Sequence, residues 1–193
     1  MSNNIEIEAK VLLSKSDYDK VAHSLAFTAS ETFTQTNHYI DSKARDLKAN
    51  GIALRVREKD DEIVLTLKTP LAEGLLEKNQ SLTMEESRDL IVKGIFPAGN
   101  IADFLEILDI DVASLEVLAT LVTKRMEKVY KSGKVALDEN SYCGRVDYEL
   151  EMEESSIYNA QELIKEILDP LGIVYEYNTL SKQSRAINAK DRD

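Results

Sequence analysis

Segment after segment of this sequence alternates with period two, and each alternation sets charged residues against apolar ones. In IEIEAKV (5–11), Glu6, Glu8 and Lys10 point one way and Ile5, Ile7, Ala9 and Val11 the other. In IALRVREK, Arg55 and Arg57 oppose Leu54 and Val56. In DDEIVLTLKTP, Thr66 and Lys68 oppose Leu65 and Leu67. In GRVDYELEME, Glu149, Glu151 and Glu153 oppose Tyr148, Leu150 and Met152. A helix cannot sort residues this way, so these segments read as β-strands with unlike faces. Two architectures satisfy the pattern. One is an open antiparallel sheet with a wet, charged face. The other is a closed barrel whose charged faces turn inward. Two features favour the second. The charged faces recur on nearly every strand with little Ser or Thr to dilute them. The signs are also sorted, with carboxylates on the first and last strands and cations on the middle ones. Periodicity alone leaves both open.

The remaining elements fall between these strands. Ser14 or Ser16 is an N-cap candidate for a helix carrying Tyr18, Val21, Ala22 and Leu25. TFTQTNHYID (32–41) reads as a strand, SKARDLKANG as a polar turn, and residues 75–86 as a fifth strand ending in TMEES. From Glu86 to Val117 the spacing of apolar residues is helical, interrupted at Pro97 and Gly99. LATLVTKRMEKVY and KVALDENSY return to strand character, with turns at Ser132-Gly133 and Cys143-Gly144. Residues 156–168 form an amphipathic helix stopped by Pro170 and Gly172, and SKQSRAINAK is a final helical turn or two. No repeat, linker or low-complexity stretch interrupts the 193 residues, which suit a single domain over 1–193.

Composition excludes several function classes. Net charge is −11, which disfavours nucleic acid and anionic membranes as partners. No long uncharged apolar run is present, and the first ten residues lack the basic and apolar regions of a secretory signal. The single cysteine, Cys143, has no internal partner, so a cytoplasmic location is expected. Neither GxxxxGK[ST] nor GxGxxG occurs, so any phosphate must be held by side chains. His23 and His38 sit in no Ser-His or Cys-His grouping. Asp60-Asp61-Glu62 reads as a solvated turn, Lys43, Arg45 and Lys48 as a solvated loop, and Lys124 as pointing away from Arg125.

Glu6-Ile7-Glu8-Ala9-Lys10 matches an ExExK motif, and further motifs follow in order: Tyr39-Ile40-Asp41, Leu54-Arg55-Val56-Arg57, Leu65-Thr66-Leu67-Lys68, Glu85, Arg125, Leu137-Asp138, Glu149-Leu150-Glu151-Met152-Glu153, and Ser181-Lys182 with Arg185-Ala186. The ordered set resembles the CYTH superfamily, or triphosphate tunnel metalloenzymes, over nearly the whole chain. The resemblance implies a β-dominated α+β fold: a closed antiparallel β-barrel of about eight strands forming a charged tunnel, with helices packed outside. It implies a metal-dependent triphosphatase acting on the terminal phosphate of an inorganic or organic triphosphate. A class IV-type adenylate cyclase and a non-catalytic polyphosphate or nucleotide sensor are the alternatives. The implied cofactor is Mg2+ or Mn2+, held by Glu6, Glu8, Glu149 and Glu151, with Asp138 and Glu85 as further candidates. The implied triphosphate ligands are Lys10, Arg55, Arg57, Lys68, Arg125, Lys182 and Arg185. Glu6, Glu8, Lys10, Glu149 and Arg57 are the expected catalytic set. Glu153 shares their parity but ranks lower, near the rim. The expected partner is a small-molecule triphosphate, and oligomeric state is left open, a homodimer among the options.

Overall fold

The alternating segments do form strands, and helices cover their apolar faces. The computed structural model describes residues 3–72 and 74–191. In chain order the elements are β1 (Asn3–Glu6), β2 (Glu8–Leu13), α1 (Lys15–Leu25), β3 (Thr32–Ser42), α2 (Asp46–Ala49), β4 (Ala53–Lys59), β5 (Glu62–Pro70), β6 (Leu75–Ser81), α3 (Met84–Arg88), α4 (Asn100–Ile107), β7 (Leu115–Tyr130), β8 (Gly133–Tyr142), β9 (Arg145–Glu153), α5 (Ile157–Leu168) and α6 (Lys182–Lys190). The strands follow the hydrogen-bonded order β1-β6-β5-β4-β3-β7-β8-β9-β2. The registered pairs are antiparallel.

The described residues hold nine strands rather than about eight because the expected first strand is two. Ile7 breaks it: β1 neighbours β6, whereas β2 pairs with β9. The backbone N–H of Glu154 bonds the freed Ile7 carbonyl at 3.0 Å.

The chain forms two compact units, each assembled from separated segments. The first comprises Met1–Ile5, Thr36–Leu121 and Gln183–Asp193; the second comprises Glu6–Gln35 and Val122–Lys182. In the first, Ile40, Leu54, Val56, Leu65 and Leu67 of the sheet pack with Leu47, Leu90, Ile101 and Leu105 of the helical segments. In the second, Ala9, Val11, Val135, Leu137, Leu150 and Met152 pack against Tyr18, Val21 and Leu25 of α1 and Ala160, Leu163, Ile164 and Ile167 of α5. Many of these side chains are fully buried, which contributes about 1.5–3 kcal/mol for each large aliphatic side chain. Because Cβ atoms alternate across a strand, burying this face in each unit leaves the charged residues on the other.

Local signals explain the boundaries. Ser14 is the N-cap of α1, its Oγ accepting from the Asp17 N–H at 3.1 Å. Cys143 and Gly144 both have left-handed φ, 44° and 65°, as a two-residue hairpin between β8 and β9 requires. The other turn is Lys131-Ser132, with Gly133 already the first residue of β8. The polar turn after β3 contains the short helix α2. The buried Asp41 carboxylate holds it, accepting from the N–H groups of Leu47 and Lys48 at 2.9 and 3.2 Å. The fifth strand stops at Ser81, not 86, because Thr83 and Glu86 form a reciprocal capping box that starts α3. At the other end of this helical region, Leu115–Val117 belongs to β7 rather than to a helix.

Replacing Thr83 with Ala should therefore cost ~1 kcal/mol. For a chain of 193 residues that lowers the melting temperature by about 2–4 °C. An unchanged melting curve would mean the capping box does not set this helix start.

Candidate functional site

The charged face of the second unit converges on one cluster. Register places Arg125 opposite Asp138 and Asp138 opposite Glu149, while Glu151 stands opposite Lys10. Asp138, Glu149 and Glu151 are all buried. One oxygen from each lies within 4.8 Å of the others, so the three carboxylates can hold a metal ion. Two cations also bind them. Arg125 donates from Nε and Nη2 to Asp138 at 2.8 and 2.7 Å, and from Nη2 to Glu151 at 2.5 Å. The Lys182 ammonium reaches Asp138 at 2.7 Å, Glu149 at 2.9 Å and Glu151 at 2.5 Å. Glu8 and Lys10 pair at 2.6 Å on the neighbouring strand.

Electrostatics follow this packing. Burial alone would raise the Glu151 carboxyl, but Lys182, Arg125 and Lys10 together hold it well below the usual carboxylate range. Burial opposes charge on Lys182 as well, and Asp138, Glu151 and Glu149 outweigh it and push its pKa up. The same balance raises Lys10, where burial is overcome by Glu8, Glu151 and Glu149.

The first unit carries the basic face. Arg55, Thr66 and Asn79 occupy one cross-strand row, and Arg57 is paired with Asn37 in the adjoining one. Arg57 Nε donates to Asn37 Oδ1 at 3.1 Å, which aims its guanidinium fork. Thr66 Oγ1 donates to Asn79 Oδ1 at 2.7 Å. The buried Nε of Arg55 has no hydrogen-bond partner among the described residues, an orphan donor that an anion would satisfy. Arg55, Arg57, Thr66 and Asn79 line a groove of about 590 Å³ that also takes in Glu77, a size typical of small-molecule sites. Glu77 pairs with Lys68 at 3.3 Å.

The Glu77 carboxyl gives a pH prediction. Burial raises its pKa, but the Lys68 charge, the Asn79 amide and the Arg55 charge pull it below the ordinary value. A carboxyl depressed on folding stabilises the fold above its unfolded pKa, about 4.3. That contribution is lost as pH falls from there through the folded value. Glu77→Gln should lower stability at pH 7 and shrink the further fall below about pH 4. Urea unfolding at both pH values measures this; a pH profile matching the unsubstituted chain would contradict it.

The structure thus groups Glu8, Lys10, Arg125, Asp138, Glu149, Glu151 and Lys182 in the second unit, and Arg55, Arg57 and Lys68 in the first. Glu6 ends β1 and is partly buried. Arg185 is partly buried on α6. Glu85 sits on α3 with its side chain exposed, because the strand expected to carry it ends four residues earlier. Lys124 is exposed, as its parity requires. Sequence reasoning missed Glu77, Asn79, Asn37 and Asn178. The first two alternate in LLEKNQS and were open to the same reading as Thr66 and Lys68. Asn178 donates from Nδ2 to Glu149 Oε1 at 3.1 Å; nothing in its local sequence signals that contact.

The CYTH domain family model matches residues 4–185. The chain belongs to the CYTH domain family. YjbK of Bacillus subtilis strain 168, provisionally named a triphosphatase, is 36% identical to this CYTH chain over 173 residues, covering 90% of each. A Bacillus halodurans protein with a provisional adenylate cyclase name is 37% identical, covers 96% of this chain and 98% of its own, and superposes with a TM-score of 0.89. A Hippeastrum protein, HpAC1, is 26% identical with a TM-score of 0.69 over 92% of this chain and 93% of its own. Its structure is described as revealing a dominant triphosphatase activity despite a provisional adenylyl cyclase name. The β-dominated antiparallel fold of the CYTH chain is therefore the family's. No helix among its described residues is long and apolar enough to cross a membrane.

Proposed function

We propose that the chain is a divalent-cation-dependent triphosphatase that hydrolyses the terminal phosphate of a small inorganic or organic triphosphate, in the cytoplasm. The observation that carries the reading is the convergence of the Asp138, Glu149 and Glu151 oxygens within 4.8 Å. The triphosphatase name of the Bacillus subtilis relative and the dominant activity of the Hippeastrum protein support it.

The donor set fits a hard cation. It consists of carboxylate oxygens only, as Mg2+ and Mn2+ prefer. Glu6 and Glu8 add carboxylates at the start of the chain. When bound, the cation supplies positive charge to the phosphoryl oxygens. The chain's own groups do the rest. Arg55 and Arg57 grip phosphate oxygens bidentately, and Lys10, Lys68, Arg125, Lys182 and Arg185 supply further positive charge. These cations stabilise the charge that develops on the diphosphate leaving group. Glu8 gives Oε1 to Lys10 and is more exposed than the buried Glu149. Its second oxygen accepts the proton of the attacking water. Catalysis of this kind is positioning and electrostatics, so no histidine base is needed.

A panel of tripolyphosphate, ATP and thiamine triphosphate with Mg2+ or Mn2+, products separated by chromatography, tests the reading. Orthophosphate plus the matching diphosphate is expected. Cyclic AMP and pyrophosphate as main products from ATP would replace it with a cyclase. Binding without turnover would replace it with a sensor.

Arg57→Lys should raise KM or lower kcat by at least ~10-fold, because a point charge cannot reproduce a two-pronged contact. Steady-state kinetics unchanged by that substitution would remove Arg57 from the phosphate ligands.

A further inference from the structure

Every oxygen of the three converging carboxylates already has a hydrogen-bond or ion-pair partner. Asp138 Oδ1 is taken by Arg125 Nε, and Oδ2 by Arg125 Nη2 and Lys182 Nζ. Glu149 Oε1 is taken by Asn178 Nδ2, and Oε2 by Lys182 Nζ. Glu151 Oε1 is taken by Lys182 Nζ, and Oε2 by Arg125 Nη2. A divalent cation entering this cluster meets donors at each atom it would bind.

The donors differ in how readily they yield. Arg125 is held by a guanidinium fork on the middle of β7. Asn178 is fixed by its own backbone, its N–H bonding the Lys10 carbonyl at 2.7 Å and its Oδ1 accepting from the Leu180 N–H at 3.0 Å. Lys182 differs on both counts. Its ammonium rides on a flexible four-carbon stem. Its three contacts go to three different carboxylates, one oxygen each. Its departure opens one oxygen on Glu149 and one on Glu151, and leaves Asp138 Oδ2 with Arg125 Nη2 in place of two cations.

Charge points the same way. Lys182 lies within 2.9 Å of all three carboxylates. A divalent ion bound to them would sit a few ångströms from its ammonium, and like charges that close in a buried setting repel strongly. Releasing Lys182 removes that repulsion.

We propose that Lys182 sets the cation affinity of the Asp138–Glu149–Glu151 cluster by competing for it, so that a divalent metal enters by displacing the Lys182 ammonium. The inference rests on the reading of this cluster as the metal site. It makes Lys182 a residue with two successive partners: the carboxylates before metal arrives, and an anion afterwards. Metal occupancy thereby readies a cation for the triphosphate, and the two ligands bind with positive coupling.

The test is a Mn2+ titration of the full chain without substrate, followed by calorimetry, on the unsubstituted protein, Lys182→Met, Lys182→Arg and Glu151→Gln. Lys182→Met should bind Mn2+ at least ~10-fold more tightly, since a neutral side chain of similar length no longer competes. Lys182→Arg should show no such gain. Equal or weaker binding by Lys182→Met, while Glu151→Gln weakens binding, overturns the competition and leaves the metal site standing. No Mn2+ binding by any form overturns both. A second measurement avoids the substituted protein's folding. In the unsubstituted chain, the NMR signal of the buried Lys182 ammonium, assigned by its loss in Lys182→Arg, should shift or vanish on saturation with Mg2+. A signal unmoved by saturating Mg2+ overturns the proposal.

Discussion

Glu149→Gln and Glu151→Gln should each lower turnover by at least ~100-fold, because each removes a negative charge from the place where a cation must gather. The fold should survive. In Glu151→Gln, two carboxylates still face the two cations Arg125 and Lys182, so the cluster stays balanced. Glutamine also keeps the shape of glutamate and one acceptor oxygen. The loss should therefore appear in kinetics while the melting temperature moves little. Near-normal rates in both variants, with the metal dependence intact, would mean the reaction uses other carboxylates.

Arg125→Ala should have the largest effect on stability. Its guanidinium bonds Asp138 and Glu151 and contacts Glu127. Removing it leaves the buried Asp138, Glu149 and Glu151 paired with Lys182. Breaking a buried ion pair from one side costs about 3–5 kcal/mol. At 193 residues that is a fall in melting temperature of about 6–20 °C. Added Mg2+ should restore part of it, since a divalent cation supplies the missing charge. A melting temperature within about 2 °C of the unsubstituted chain would show that the three carboxylates shed their charge instead of relying on Arg125.

Much of this arrangement was legible in the sequence because strands write their faces into every second residue. The period-two rule placed Glu149 and Glu151 on the face opposite Leu150 and Met152, and Arg55 and Arg57 opposite Leu54 and Val56. Sheet faces survive small errors in strand ends, so those assignments did not depend on boundaries. Strand ends are set by competing local signals, and there the reading failed. The Thr83–Glu86 capping box ended β6 early and carried Glu85 onto an exposed helix. Its Thr-x-x-Glu pattern stands at the end of an apparent strand run. The break at Ile7 reflects a change of neighbouring strand, which no local pattern encodes. Contacts made across long sequence separations were equally hidden. Asn178 meets Glu149 across 29 residues, and Lys182 closes over the cluster from the start of a helix whose sequence is mostly polar. Only the resemblance to a known family singled out Lys182, and it assigned the residue to the triphosphate. The ion pairs with Asp138, Glu149 and Glu151 came from the structure.

The most direct test of the central claim is to follow the oxygen of water. ATP should be turned over with Mg2+ or Mn2+ in water enriched in oxygen-18, and the products examined by mass spectrometry. Attack of water on the terminal phosphorus predicts one solvent oxygen in each released orthophosphate and none in the ADP. Cyclic AMP with unlabelled pyrophosphate, or label carried by the nucleotide product, would contradict terminal-phosphate hydrolysis.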